Sequence, residues 1–143
     1  MIDKKYTIII GIDPGTKTGL AIWHRDRKVF LAIWTVPIHK AMSSIISYSN
    51  IYPGKIFVRF EDARKRTFFK GENMNAKQQG AGSIKRDCSI WQDFLTDENI
   101  PYDNPAAGKI KTKYSSDLFK KITGFPGATS NHSRDAAMLV FNM

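Results

Sequence analysis

Three acidic residues stand where secondary structure would bring them together: Asp13 closing a β-branched apolar run, Glu61 closing a second, and Asp135 early in a helical pattern. Carboxylates that converge repel one another unless cations sit among them. Oxygen donors this hard select Mg²⁺ or Mn²⁺. Two such ions about 4 Å apart could activate a water and steady the departing oxygen of a phosphodiester, with no side-chain nucleophile. His132, three residues before Asp135, falls one turn away on the same helical face. It could bind metal as neutral imidazole, position the attacking water, or cap the helix start. Asp13 could instead be a turn-forming residue before Pro14-Gly15, and Glu61 a solvent-facing strand end. Asp62 competes with Glu61, and because alternate residues of a strand face opposite sides, side-chain parity decides between them. Arg134 is expected to pair with a phosphate or carboxylate.

The elements that must carry these groups follow from periodicity. Residues 6 to 13 form an apolar, β-branched run ending in Pro14-Gly15, the pattern of a buried central strand with Asp13 at its carboxyl end. Residues 19 to 23 and 29 to 36 predict two more strands joined around Arg25-Asp26-Arg27, an antiparallel meander that Pro37 stops. Ile38, Met42, Ile45 and Ile46 are spaced for a helix over 38–50. That helix crosses to a strand over 55–61, parallel to the first if the crossover is right-handed. Residues 64 to 75 are polar, basic and broken by Gly71, hence a loop.

Residues 76 to 98 predict a long helix with Ile84, Cys88, Trp91 and Leu95 on one stripe, and Gly80 and Gly82 are places where another backbone could approach. A short fifth strand is expected over 101–106, and a helix over 115–123 ended by Gly124. A last helix, capped by Thr129 or Ser130, should run through Asp135 to Phe141. The expectation is an α/β fold: a mixed five-stranded sheet, strands 1–3 antiparallel and 4–5 parallel, flanked by helices.

Composition bounds the rest. At 143 residues the chain fits a single domain, 1–143. With 42% hydrophobic residues it has material for a packed core. No apolar run reaches the length of a membrane span, and Met1-Ile2-Asp3-Lys4-Lys5 lacks a signal-peptide pattern, so a cytoplasmic location is expected. The one cysteine, Cys88, excludes an internal disulfide and a cysteine-rich zinc site, and is expected to be buried in its helix. A net charge of +9, from 22 Lys and Arg against 13 Asp and Glu, would attract polyanions, nucleic acid first among them.

The sequence resembles the RuvC family of Holliday-junction resolvases, within the RNase H-like superfamily. The resemblance runs nearly end to end. It rests on Gly11-Ile12-Asp13-Pro14-Gly15 with Thr18-Gly19-Leu20-Ala21, on Phe57-Val58-Arg59-Phe60-Glu61-Asp62, and on His132-Ser133-Arg134-Asp135-Ala136-Ala137. It implies an RNase H-like fold and endonucleolytic cleavage of branched DNA, four-way junctions above all. The implied site is Asp13, Glu61, His132 and Asp135 around two Mg²⁺ or Mn²⁺ ions. The compact chain is similar to short phage-type members, which would place it in the host-cell cytoplasm.

Two basic segments could hold the DNA. In Arg64-Lys65-Arg66-Thr67-Phe68-Phe69-Lys70, cations would bind phosphates while Phe68 or Phe69 stacks on an unpaired base. The second comprises Lys109, Lys111 and Lys113, with Lys120 and Lys121 beyond; the resemblance implies that Lys109 and Lys113 lie near the scissile phosphate. A four-way junction needs two symmetric cuts, which suits a C2 homodimer. The resemblance puts the interface on the long helix, where the 84–95 stripe, with Trp91 exposed at its centre, could serve, or could equally be core. The rival expectations are a catalytically silent junction binder and an actin- or hexokinase-like nucleotide-binding domain, since Gly11 to Gly19 also looks like a phosphate loop.

Overall fold

The computed structural model of the chain describes residues 2–65, 74–107 and 113–143, with backbone alone over 74–81. Five strands form one mixed sheet: β1 (Ile8–Asp13), β2 (Lys17–His24), β3 (Val29–Pro37), β4 (Ile56–Phe60) and β5 (Tyr102–Asp103). In space they lie in the order β3-β2-β1-β4-β5. β1 is central, antiparallel to β2 and parallel to β4; β3 continues the antiparallel half and β5 the parallel half. Helices α1 (Ile38–Ile51), α2 (Met74–Asp97), α3 (Ser116–Thr123) and α4 (Asn131–Met138) complete the α/β architecture.

The two faces of the sheet are set by parity. Ile8, Ile10 and Ile12 of β1, with Ile56, Val58 and Phe60 of β4, point into a core shared with Ala41 and Ile45 of α1 and Cys88, Trp91 and Leu95 of α2. The alternate residues point the other way. Ile9 and Trp23 pack with Leu139 and Val140, and Ala21 and Ile33 pack with Phe119, Ala136 and Ala137. A strand buried on both faces must be apolar throughout, which is why β1 reads Ile-Ile-Ile-Gly-Ile before its terminal Asp.

α4 owes its position to two missing side chains. A Cβ at Gly11 of β1 would overlap the carbonyl oxygen of Ala136, and one at Gly19 of β2 would overlap that of His132. Glycine inside a strand commonly marks such close backbone approach. Ser130 caps the helix through Ser133 N–H at 3.1 Å, while Ser133 Oγ accepts from Ser130 N–H at 2.8 Å, a capping box. The Ser130 hydroxyl also meets that of Thr35 on β3. The first turn of α4 is thereby held over the carboxyl end of β1.

Several expectations change. Trp91 is fully buried and not exposed at the centre of an interface, because the 84–95 stripe turns Cys88, Trp91 and Leu95 into the core. Among the described residues a Cβ at Gly82 meets nothing within 4 Å, and the Gly80 environment lies outside the described residues. The fifth strand is two residues long, with only an isolated Asp62–Ala106 bridge beyond it. Pro101 and Pro105 lack the N–H a longer ladder needs. The last helix ends at Met138, where Leu139 and Val140 N–H bond back three residues to Ala136 and Ala137, tightening the chain into turns. Among the described residues no helix is long and apolar enough to cross a membrane.

Candidate active site

At the carboxyl ends of β1 and β4, beside the first turns of α4, a cleft of about 240 Å³ is lined by Asp13, Glu61, His132, Asp135 and Lys113, with Pro14, Ala63, Ile84 and Ala107 as walls. Asp13 has the parity of Ile9 and Gly11, so it emerges on the face that α4 covers. Glu61 has the parity of Phe57 and Arg59 and emerges beside it. The strands are locked in that register by Glu61 N–H, which donates to Ile12 carbonyl at 3.2 Å.

Asp62 points elsewhere. It is 1% exposed and accepts from Arg64 Nε (2.9 Å), Arg64 Nη2 (2.7 Å), Arg64 N–H (3.0 Å) and Asn104 Nδ2 (2.8 Å). Burial alone would raise its pKa, but the hydrogen bonds from Arg64 and Asn104 and the Arg64 charge outweigh it and hold the carboxyl at about 2. Of the two neighbouring acids, then, Glu61 faces the cleft and Asp62 anchors the turn behind it.

Inside the cleft, His132 Nδ1 lies 3.0 Å from Asp13 Oδ2, and Lys113 Nζ lies 2.5 Å from Asp135 Oδ2. Burial pushes Asp13 up to about 6; the His132 hydrogen bond opposes this, and the charges of Asp135 and Glu61 add to it. The Asp135 hydrogen bond is the main cause that raises Lys113, helped by the charges of Asp135, Asp13 and Glu61 against the opposing pull of burial. Asp13 thus feels the charges of both other carboxylates across the cleft. His132 does not cap α4, since Ser130 does.

Among the described residues, no three His, Cys, Asp or Glu side chains form a ready metal-holding group. Two of the acids are instead turned toward neighbouring side chains, Asp13 toward the His132 imidazole and Asp135 toward the Lys113 ammonium. In kind, the donors suit a hard divalent cation: three carboxylates and an imidazole around one cleft, with Asp13 destabilised as an anion by burial and by its neighbours.

The basic residues divide. Arg64 is committed to Asp62, and Lys65 Nζ donates to the Asn104 carbonyl at 2.5 Å. Arg66, Phe68, Phe69, Lys70, Lys109 and Lys111 lie outside the described residues. Among the described residues Arg134 pairs with no carboxylate. It is 9% exposed and donates to the carbonyls of Tyr114 and Thr129, Thr129 Oγ1 and Asn131 Oδ1. Its role, and those of Gly11 and Gly19 as seats for α4, escaped the sequence reading; glycines interrupting buried strands were the available signal.

No protein-family model matches this chain, and no curated protein matches its sequence.

Proposed function

We propose that this chain is an RNase H-like endonuclease that cleaves branched DNA, four-way junctions in particular, by divalent-metal-dependent phosphodiester hydrolysis. The observation that carries the reading is the meeting of Asp13, Glu61, His132 and Asp135, drawn from three separate segments, around one cleft that also receives Lys113. The three-strand antiparallel meander followed by parallel strands supports the fold assignment.

Asp13, Glu61 and Asp135 would hold Mg²⁺ or Mn²⁺, with His132 as a fourth donor or as a base. Two bound ions would supply a more acidic water and charge neutralisation at the phosphate. If His132 Nδ1–H donates to Asp13, Nε2 keeps its lone pair and can accept a proton from the attacking water. Lys113 brings positive charge to the same cleft, and the +9 net charge favours a polyanionic substrate. Symmetric cutting of a junction calls for a homodimer. With Trp91 in the core, the exposed large apolar residues among the described side chains of α2 are Ile84 and Ile90.

The test is a synthetic four-way junction incubated with Mg²⁺, Mn²⁺ or EDTA, using wild type and Asp13→Asn. Asn keeps the size of Asp and loses its charge, so the variant should bind the junction normally and lose cleavage by roughly a thousandfold or more. Equal cutting by both proteins would reject the assignment. Junction binding without cleavage under every metal condition would leave a silent binder, and ATP binding without cleavage would point to the nucleotide-binding alternative.

A further inference from the structure

Arg134 is a buried cation whose hydrogen bonds go to neutral oxygens: Tyr114 carbonyl at 2.9 Å, Thr129 carbonyl at 3.0 Å, Thr129 Oγ1 at 2.9 Å and Asn131 Oδ1 at 2.6 Å. Among the described residues no carboxylate pairs with this guanidinium, and burying one on neutral partners is expensive, so these bonds matter for what they fix. They join the backbone at Tyr114 to the first turn of α4. Lys113 immediately precedes Tyr114, and Asp135 immediately follows Arg134. The clamp therefore aligns two neighbouring pairs, and in that alignment Lys113 Nζ reaches Asp135 Oδ2 at 2.5 Å.

A lysine side chain that is 75% exposed has little reason to settle on one carboxylate, because the pairing gains little in water and costs rotamer entropy. Fixing its backbone one residue away reduces that cost. The same carboxylate is one of three that face the cleft, so an ammonium resting on it occupies an oxygen that a divalent cation would also use.

We infer that Arg134 is a positioning residue: by clamping Tyr114 to α4 it holds Lys113 on Asp135, where the ammonium competes with the divalent cation. This rests on the metal-dependent reading of the cleft given above. Arg134 touches neither metal nor substrate and acts through Lys113. Loss of either residue frees the same carboxylate, so their effects on metal affinity should not add.

The experiment is Mn²⁺ titration of the full chain by calorimetry, for wild type, Lys113→Met, Arg134→Lys and the double variant. Lys113→Met should tighten Mn²⁺ binding roughly three- to tenfold. Arg134→Lys, whose single ammonium cannot span all four acceptors, should tighten it in the same direction, and the double variant should bind no more tightly than Lys113→Met. Additive effects, or weaker binding in Arg134→Lys, would overturn the inference. Equal Mn²⁺ affinity in all four proteins would overturn it while leaving the metal site intact. Absence of Mn²⁺ binding in all four would remove the metal-dependent reading, and this inference with it. Should Arg134→Lys fail to fold, two measurements still decide: Lys113→Met must tighten Mn²⁺ binding, and the Arg134 Nε–H of wild type must exchange slowly with water by NMR. Failure of either rejects the proposal.

Discussion

Asp13 is held in a state that costs the fold something. Its pKa of about 6 lies above the ordinary 3.8, so the native chain binds that proton more tightly than the unfolded chain does. In the metal-free protein its contribution to stability therefore rises as pH falls from about 6 to about 4. Asp62 behaves oppositely: held near 2, it stabilises above about pH 4, and that contribution is lost as pH falls toward 2. Because a metal must displace the Asp13 proton, Mn²⁺ affinity should fall about tenfold per pH unit below about pH 6, two units earlier than for an ordinary aspartate. Calorimetric titrations between pH 7.5 and 5 check this, and an affinity that stays flat to pH 5 would contradict it. Asp13 and Glu61 were legible as residues because a carboxylate at the end of an apolar strand is a visible pattern, and His132 with Asp135 because a spacing of three puts both on one helical face. The choice of Glu61 over Asp62 was not legible until parity was fixed by the sheet, and the Asp62–Arg64–Asn104 network joins segments too distant in sequence to pair by inspection.

The strands and helices were largely readable because their apolar periods are clean or their ends are marked: β1 as an apolar run, α1 by its spacing, α3 by the Gly124, at φ 72°, that ends it. Less readable was how closely α4 sits on the sheet, since that depends on what Gly11 and Gly19 lack. Gly19→Ala would push a methyl into the His132 carbonyl, forcing α4 outward and drawing His132 away from Asp13. The expected cost is about 3 kcal/mol, roughly an 8 °C fall in melting temperature. Gly82→Ala is the contrast: its Cβ meets nothing, and alanine in a helix should stabilise by about 0.5 to 1 kcal/mol. Thermal unfolding of the two variants side by side checks both signs. A tolerated Gly19→Ala would mean that α4 is less tightly seated than described.

The excess of 22 basic over 13 acidic residues gives the chain a long-range attraction for polyanions that no single contact explains. Binding to a four-way junction should weaken steeply with salt. A protein neutralising about five phosphates would show a log–log slope of about −4 to −5, measurable by fluorescence anisotropy between 50 and 200 mM salt. A slope near zero would argue against a nucleic-acid partner. Charge was plain in the sequence, but its distribution was not: Arg64 and Arg134, which look like DNA contacts in a linear reading, are consumed by Asp62 and by backbone carbonyls. The chain's solitary thiol has a different use. Cys88 is wholly buried, burial pushes it up to about 11, and its Sγ lies 3.7 Å from the Glu61 carbonyl oxygen. A maleimide can reach it only when α2 lifts from the sheet, so the rate of alkylation under native conditions would serve as a clock for breathing of the wall behind Glu61.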